Sequence, residues 1–135
     1  NNSLSDCVII SADTIVLLND NILTKPVDNN HAFCMLKNLS GKWHKVITGV
    51  YVTDAYTGKE NYKSKTTKVK FRNITDDEIK NYIATGEADD KAGSYGIQGL
   101  GSLFVESIEG CYYNVVGLPL VLLNDILNQF NISIL

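Results

Sequence analysis

The chain predicts an α/β domain, and three observations carry that prediction. The β-branched run VIISADTIVLL, from Val8 to Leu18, has the make-up of a buried strand. Two longer segments, Trp43 to Tyr56 and Tyr62 to Arg72, read as strands joined at Thr57-Gly58-Lys59. Between and after these strands stand three helix starts: Asp28, the Thr75-Asp76-Asp77-Glu78 capping box, and Pro119.

Asn19-Asp20-Asn21 is a turn, with Ile22-Leu23 returning as a short hairpin partner before Thr24-Lys25-Pro26. Asp28 caps a helix whose Ala32, Met35, Leu36 and Leu39 fall on one face, and Gly41 stops it. His31 and His44 read as surface or packing histidines rather than ligands. In the strand ending at Arg72, Thr67, Val69 and Phe71 alternate with Lys68, Lys70 and Arg72, as in a half-buried strand. The helix after Thr75 runs through Ile79, Tyr82 and Ile83 to Gly86. Leu103 to Ile108 reads as a further strand. The final helix presents Leu120, Leu123, Leu127 and Phe130.

Composition narrows the function classes. With 135 residues, 44% apolar and 20% charged, the chain can bury a core as one domain and is not of disordered type. A net charge of -3 argues against a nucleic-acid binder. Six basic residues crowd between Lys59 and Arg72, which reads first as the solvated face of a strand and second as a phosphate patch. Cys7, Cys34 and Cys111 are widely spaced, giving neither a disulfide framework nor a zinc pattern, so reduced thiols in a cytoplasmic protein are expected. No apolar run is long enough to span a membrane.

Six of the ten glycines lie between Asp90 and Pro119. That density suits either a tight multi-turn connection or backbone passing close to a ligand. Neither a dinucleotide fingerprint nor a Gly-Lys-Ser/Thr phosphate loop is present. Three features could carry chemistry: Asp13, a carboxylate inside an apolar strand; Lys25, beside a proline; and the loop from Lys91 to Gln98, whose amide looks buried. A carboxylate embedded in a buried strand is costly unless paired or working, and it could hold a metal or activate water. Asp13 could equally be a turn residue between two short strands, and Lys25 a plain surface lysine.

Several strings occur in an order that resembles the Maf family. They are Ser11-Ala12-Asp13-Thr14, Lys25-Pro26, the Ala32 to His44 helix pattern and Thr48-Gly49-Val50. They continue with Thr67, Val69 and Phe71, then Asp90-Lys91-Ala92-Gly93, Tyr95-Gly96-Ile97-Gln98-Gly99, Ile108-Glu109-Gly110 and Asn114 to Pro119. The resemblance covers roughly residues 8–127. It implies a mixed twisted β-sheet flanked by helices, similar to inosine triphosphatases, with a nucleotide cleft. It also implies a nucleoside triphosphate pyrophosphatase that uses Mg²⁺ or Mn²⁺.

Carried over by motif, the resemblance makes Asp13 the general base and metal-linked carboxylate. Lys25 and Lys91 would face the phosphates, and Thr14 and Gln98 would read the base. Ala12-Asp13-Thr14 with Tyr95 to Gly99 looks like the dTTP/UTP branch rather than the 7-methyl-GTP branch. The family's opening Ser-x-Ser-Pro-Arg-Arg loop has no counterpart here, so the expectation is a single, N-terminally truncated Maf-like domain over residues 1–135. Its partner would be a nucleoside triphosphate, with neither nucleic acid nor membrane, and the assembly could be a homodimer. The alternative implied is a catalytically impaired nucleotide-binding or regulatory fragment linked to inhibition of septum formation.

Overall fold

A computed structural model of the chain describes residues 7–135. Strand β1 (Val8–Leu18) turns at Asn19 and Asp20, both at positive φ, into the short β2 (Asn21–Leu23). Helix α1 (Asn29–Leu39) follows, with the Asp28 carboxylate accepting from the His31 N–H. Strands β3 (Trp43–Asp54) and β4 (Glu60–Phe71) form a long hairpin. Helix α2 (Asp76–Ala84) opens on the expected capping box between Thr75 and Glu78.

Two short 3₁₀ segments, Ala92–Ser94 and Leu100–Phe104, carry the chain to β5 (Val105–Glu109). Two further helices close it, α3 (Tyr112–Val116) and α4 (Leu120–Gln129). The strand expected from Leu103 starts two residues later, because Leu103 and Phe104 complete the 3₁₀ turn that buries the Phe104 ring.

The five strands lie in the order β2-β1-β3-β4-β5, antiparallel at every pairing, and the helices flank this sheet as the α/β expectation requires. Register sets the two faces. One face carries Val16, Val46, Val50, Val52, Val69 and Phe71, all buried under helices. It supports two apolar clusters. The larger joins Val16, Val46 and Phe71 to α1 and α2; the smaller joins Val50 and Val52 to Leu123, Ile126 and Leu127 of α4. Between them runs a polar seam of Thr48, Thr67 and Asn114, each fully buried.

The other face exposes Lys68, while Lys70 pairs with Glu106 at 3.6 Å and lies over Trp43. Those two lysines therefore belong to a solvated face, as the alternation predicts. Among the described residues no helix is long and apolar enough to cross a membrane.

Candidate active site

Thr14 and Asp13 come from the stretch of β1 that β2 fails to cover. The β2 pairing reaches only Val16, Leu17 and Leu18, so Asp13 stands on an uncovered edge among the described residues. The strand runs unbroken through Asp13, opposite Gly49 of β3, which sets aside the turn reading. Its side chain is exposed, correcting the expectation of a carboxylate embedded in a buried strand. The physical reason is strand alternation: Thr14 and Val16 turn to the helix-covered face, so Asp13 turns to the opposite one. Gly49 is needed beneath it, since the Tyr62 ring lies across that position and a Cβ there would meet the phenol within 3 Å.

Asp13, Thr14, Lys25 and Lys91 line one cleft of about 270 Å³, which also takes in Asp90, Tyr95, Val115 and Val116. Gln98 lies in an adjoining hollow of about 440 Å³ that shares Lys91, Tyr95, Ile97, Val115 and Val116 with it. The five expected site residues thus gather along one continuous depression, although they span 86 positions of sequence from Asp13 to Gln98, both included. A larger hollow of about 500 Å³ between Leu17, Trp43, Lys45 and Lys68 contains none of them. Gln98 is exposed, against the expectation of a buried amide, in a stretch where Gly99 and Leu100 are exposed too.

Electrostatically the cleft combines two cations with two carboxylates. Lys91 Nζ donates to Asp90 Oδ1 at 3.2 Å, and this bond together with the lysine charge holds the Asp90 carboxyl below its usual range. Lys25 enters from the segment after β2, beside Pro26, whose ring fixes the local backbone.

The loop carrying Gln98 is held from beneath by Glu87, a residue that sequence reading passed over. Its carboxylate accepts from Tyr82 Oη at 2.5 Å, from the Leu100 N–H at 2.9 Å and from the Gly101 N–H at 3.0 Å. Tyr82 Oη in turn accepts from the Gly96 N–H at 3.1 Å. A Cβ at Gly99 would overlap Glu87 Oε1, so that glycine is required by close approach. Burial works to raise the Glu87 pKa, but the bonds from Tyr82, Gly101 and Leu100, with Lys91 nearby, outweigh it and leave the carboxyl below its ordinary range. The glycine-rich stretch is a multi-turn connection, and Gly96 and Gly99 line the hollow that holds Gln98.

Behind the cleft, Tyr95 is buried and its hydroxyl meets His44 Nε2 at 2.7 Å. Burial lowers the His44 pKa to about 4. This is a packing histidine, edge-on to Phe71 with ring centroids 5.1 Å apart, as expected. Asn114 ties the seam together: its amide nitrogen lies 2.8–3.1 Å from Val46 O, Lys65 O and Thr67 Oγ1 and shares its two protons among them. The Thr14 and Thr48 hydroxyls lie 2.8 Å apart, and Thr48 Oγ1 donates to Asn114 O at 3.2 Å.

An α/β fold thus brings two lysines and two carboxylates to one cleft, with a glycine-rich loop beside it. The model of the Maf-like protein family matches residues 1–130, and the chain belongs to that family. Among its relatives is a protein of Bdellovibrio bacteriovorus, 51% identical over 123 residues, covering 91% of this chain and 64% of that protein. Another, from Syntrophomonas wolfei, is 54% identical over 113 residues, 84% of this chain and 60% of the relative. One from Clostridium botulinum is 54% identical over 124 residues, 92% and 66% respectively. All three bear the name dTTP/UTP pyrophosphatase. The chain thus spans less than two thirds of the length of these relatives.

Proposed function

We propose that the protein hydrolyses dTTP and UTP to the nucleoside monophosphate and pyrophosphate. The observation that carries this reading is the convergence of Asp13, Thr14, Lys25 and Lys91 on one cleft, with Gln98 in the hollow beside it. The names of the relatives point the same way.

Each residue has a role its chemistry suits. Asp13, exposed at the strand edge, is free to accept a proton from a water directed at the α-phosphorus. Lys25 and Lys91 neutralise phosphate oxygens, and as flexible ammonium groups they follow charge as it moves toward the leaving pyrophosphate. Gln98 offers the base an amide donor and a carbonyl acceptor, and Thr14 a hydroxyl.

Among the described residues no three His, Cys, Asp or Glu side chains group as a ready-made metal cage. Asp13 and Asp90 nonetheless supply two hard oxygen donors in the cleft lining. That set fits Mg²⁺ or Mn²⁺, which commonly bind through one or two carboxylates with waters and substrate phosphates completing the shell. When bound, the ion adds positive charge at the phosphates beside the two lysines. The free thiols of Cys34 and Cys111 suit a reducing, cytoplasmic setting, and a homodimer is the assembly we put forward, which mass by light scattering tests.

A panel of nucleoside triphosphates, assayed for both pyrophosphate and orthophosphate, tests the reaction. Expected is pyrophosphate release, fastest from dTTP and UTP. Orthophosphate as the first product, or a preference for 7-methyl-GTP, rules the reading out, and binding without turnover supports the regulatory alternative.

A further inference from the structure

We infer that Thr48, buried behind the cleft, fixes the proton of the Thr14 hydroxyl so that Thr14 presents only lone pairs to the ligand and selects a base edge bearing an N–H donor. Thr48 is fully buried, so both its donor and its acceptor capacity need partners inside the protein. It has one proton, and Asn114 O accepts it at 3.2 Å. Its oxygen then needs a donor, and the Thr14 hydroxyl stands 2.8 Å away. With Thr14 donating to Thr48 and Thr48 donating to Asn114, every hydroxyl in the relay is satisfied and each bond polarises the next. The reverse direction leaves the Thr48 proton on Thr14 and a buried lone pair of Thr48 without a donor.

The far end of the relay is anchored. The side-chain amide nitrogen of Asn114 sits against Val46 O, Lys65 O and Thr67 Oγ1, which holds in place the residue whose backbone oxygen accepts from Thr48. Thr14 itself lines the cleft, so its remaining capacity faces the ligand, and that capacity is acceptor only. Uracil and thymine carry N–H at ring position three; cytosine carries a bare nitrogen there. An acceptor-only hydroxyl pairs with the first and opposes the second, and a group left unpaired on closure is the strongest means of rejecting an analogue. The discrimination would thus be set one layer behind the residue that touches the base. This rests on the proposed nucleotide site and assigns Thr48 a positioning role within it.

The test is Thr48→Val against Thr48→Ser, read as the ratio of kcat/KM for UTP over CTP and, apart from turnover, as the ratio of UMP to CMP affinity by calorimetry. Valine keeps the shape and removes the acceptor, freeing the Thr14 proton to turn toward a ligand. Both ratios are expected to fall roughly ten- to a hundredfold, largely through improved handling of the cytosine nucleotides, while serine restores them. Should the valine variant fail to fold, Thr48→Cys, whose sulfur accepts only weakly, is expected to move the ratios the same way. A wild-type enzyme that prefers UTP, with ratios unchanged in Thr48→Val or Thr48→Cys, overturns this inference and leaves the proposed function standing. A wild-type protein that neither binds nor hydrolyses any nucleotide overturns both.

Discussion

Asp13→Asn is expected to lower pyrophosphate release by about 10²-fold or more while leaving the melting temperature nearly unchanged. The substitution preserves size and removes both the negative charge and the capacity to accept a proton, and losing a general base costs 10² to 10⁴ in rate. The stability half of the prediction follows from where the residue stands. Asp13 is exposed on a strand edge that β2 does not reach, so neither relief from burial nor loss of a buried bond is at stake. Exposed substitutions of this kind shift stability by about 0.5 kcal/mol at most. Near-normal turnover in Asp13→Asn would retire the catalytic assignment. A large fall in melting temperature would mean that Asp13 has a structural duty the fold does not reveal.

Glu87→Ala should show the opposite profile, a loss of stability first and of activity as its consequence. The change removes the acceptor for Tyr82 Oη and for the Leu100 and Gly101 N–H groups, of which Tyr82 and Gly101 are buried. Leaving buried donors unpartnered costs roughly 2–3 kcal/mol in total, since the more exposed Leu100 N–H can turn to water. The loop bearing Gln98 would lose its floor, and KM for dTTP is expected to rise more than kcat falls.

The pH dependence gives a second signature. The Glu87 pKa lies below its ordinary 4.5 in the folded protein, so its contribution is complete above that value and disappears as pH falls through the folded pKa. His44 acts in a separate window. Its pKa drops from 6.5 to about 4 on folding, so the unfolded chain takes up the proton first and stability is lost as pH falls from 6.5 toward 4. Thermal melts across pH should therefore keep the His44 slope in Glu87→Ala and show a shallower limb below 4.5, the remainder coming from Glu78 and Asp90, whose carboxyls are also held below their usual range. A variant as stable as wild type across the range would show that the loop does not depend on this carboxylate.

Much of the fold was legible because its signals are local. Alternation in β4 and the Thr75–Glu78 capping box specify their elements within a few residues of chain, and both stand where expected. The five residues expected from motif lie in two adjoining hollows, although only Asp13 and Thr14 are placed there by a strand, and Lys25, Lys91 and Gln98 by the segments between elements. What escaped depends on the third dimension. Whether the Asp13 carboxylate is buried was decided by which face of the sheet the helices cover, which composition does not encode. Glu87 looks like any surface acid after a helix until its partners, 13 and 14 residues on, fold back over it. Thr48 and Asn114 meet across 66 residues, and nothing in either neighbourhood announces a buried polar seam.

The central claim is that this cleft directs water at the α-phosphorus of a pyrimidine nucleoside triphosphate. The most direct measurement is hydrolysis of dTTP in water enriched in heavy oxygen, with the label located by phosphorus NMR and mass spectrometry of the products. Attack at the α-phosphorus predicts one labelled oxygen in dTMP and an unlabelled pyrophosphate. Label in the pyrophosphate, or release of labelled orthophosphate with dTDP, would contradict the account.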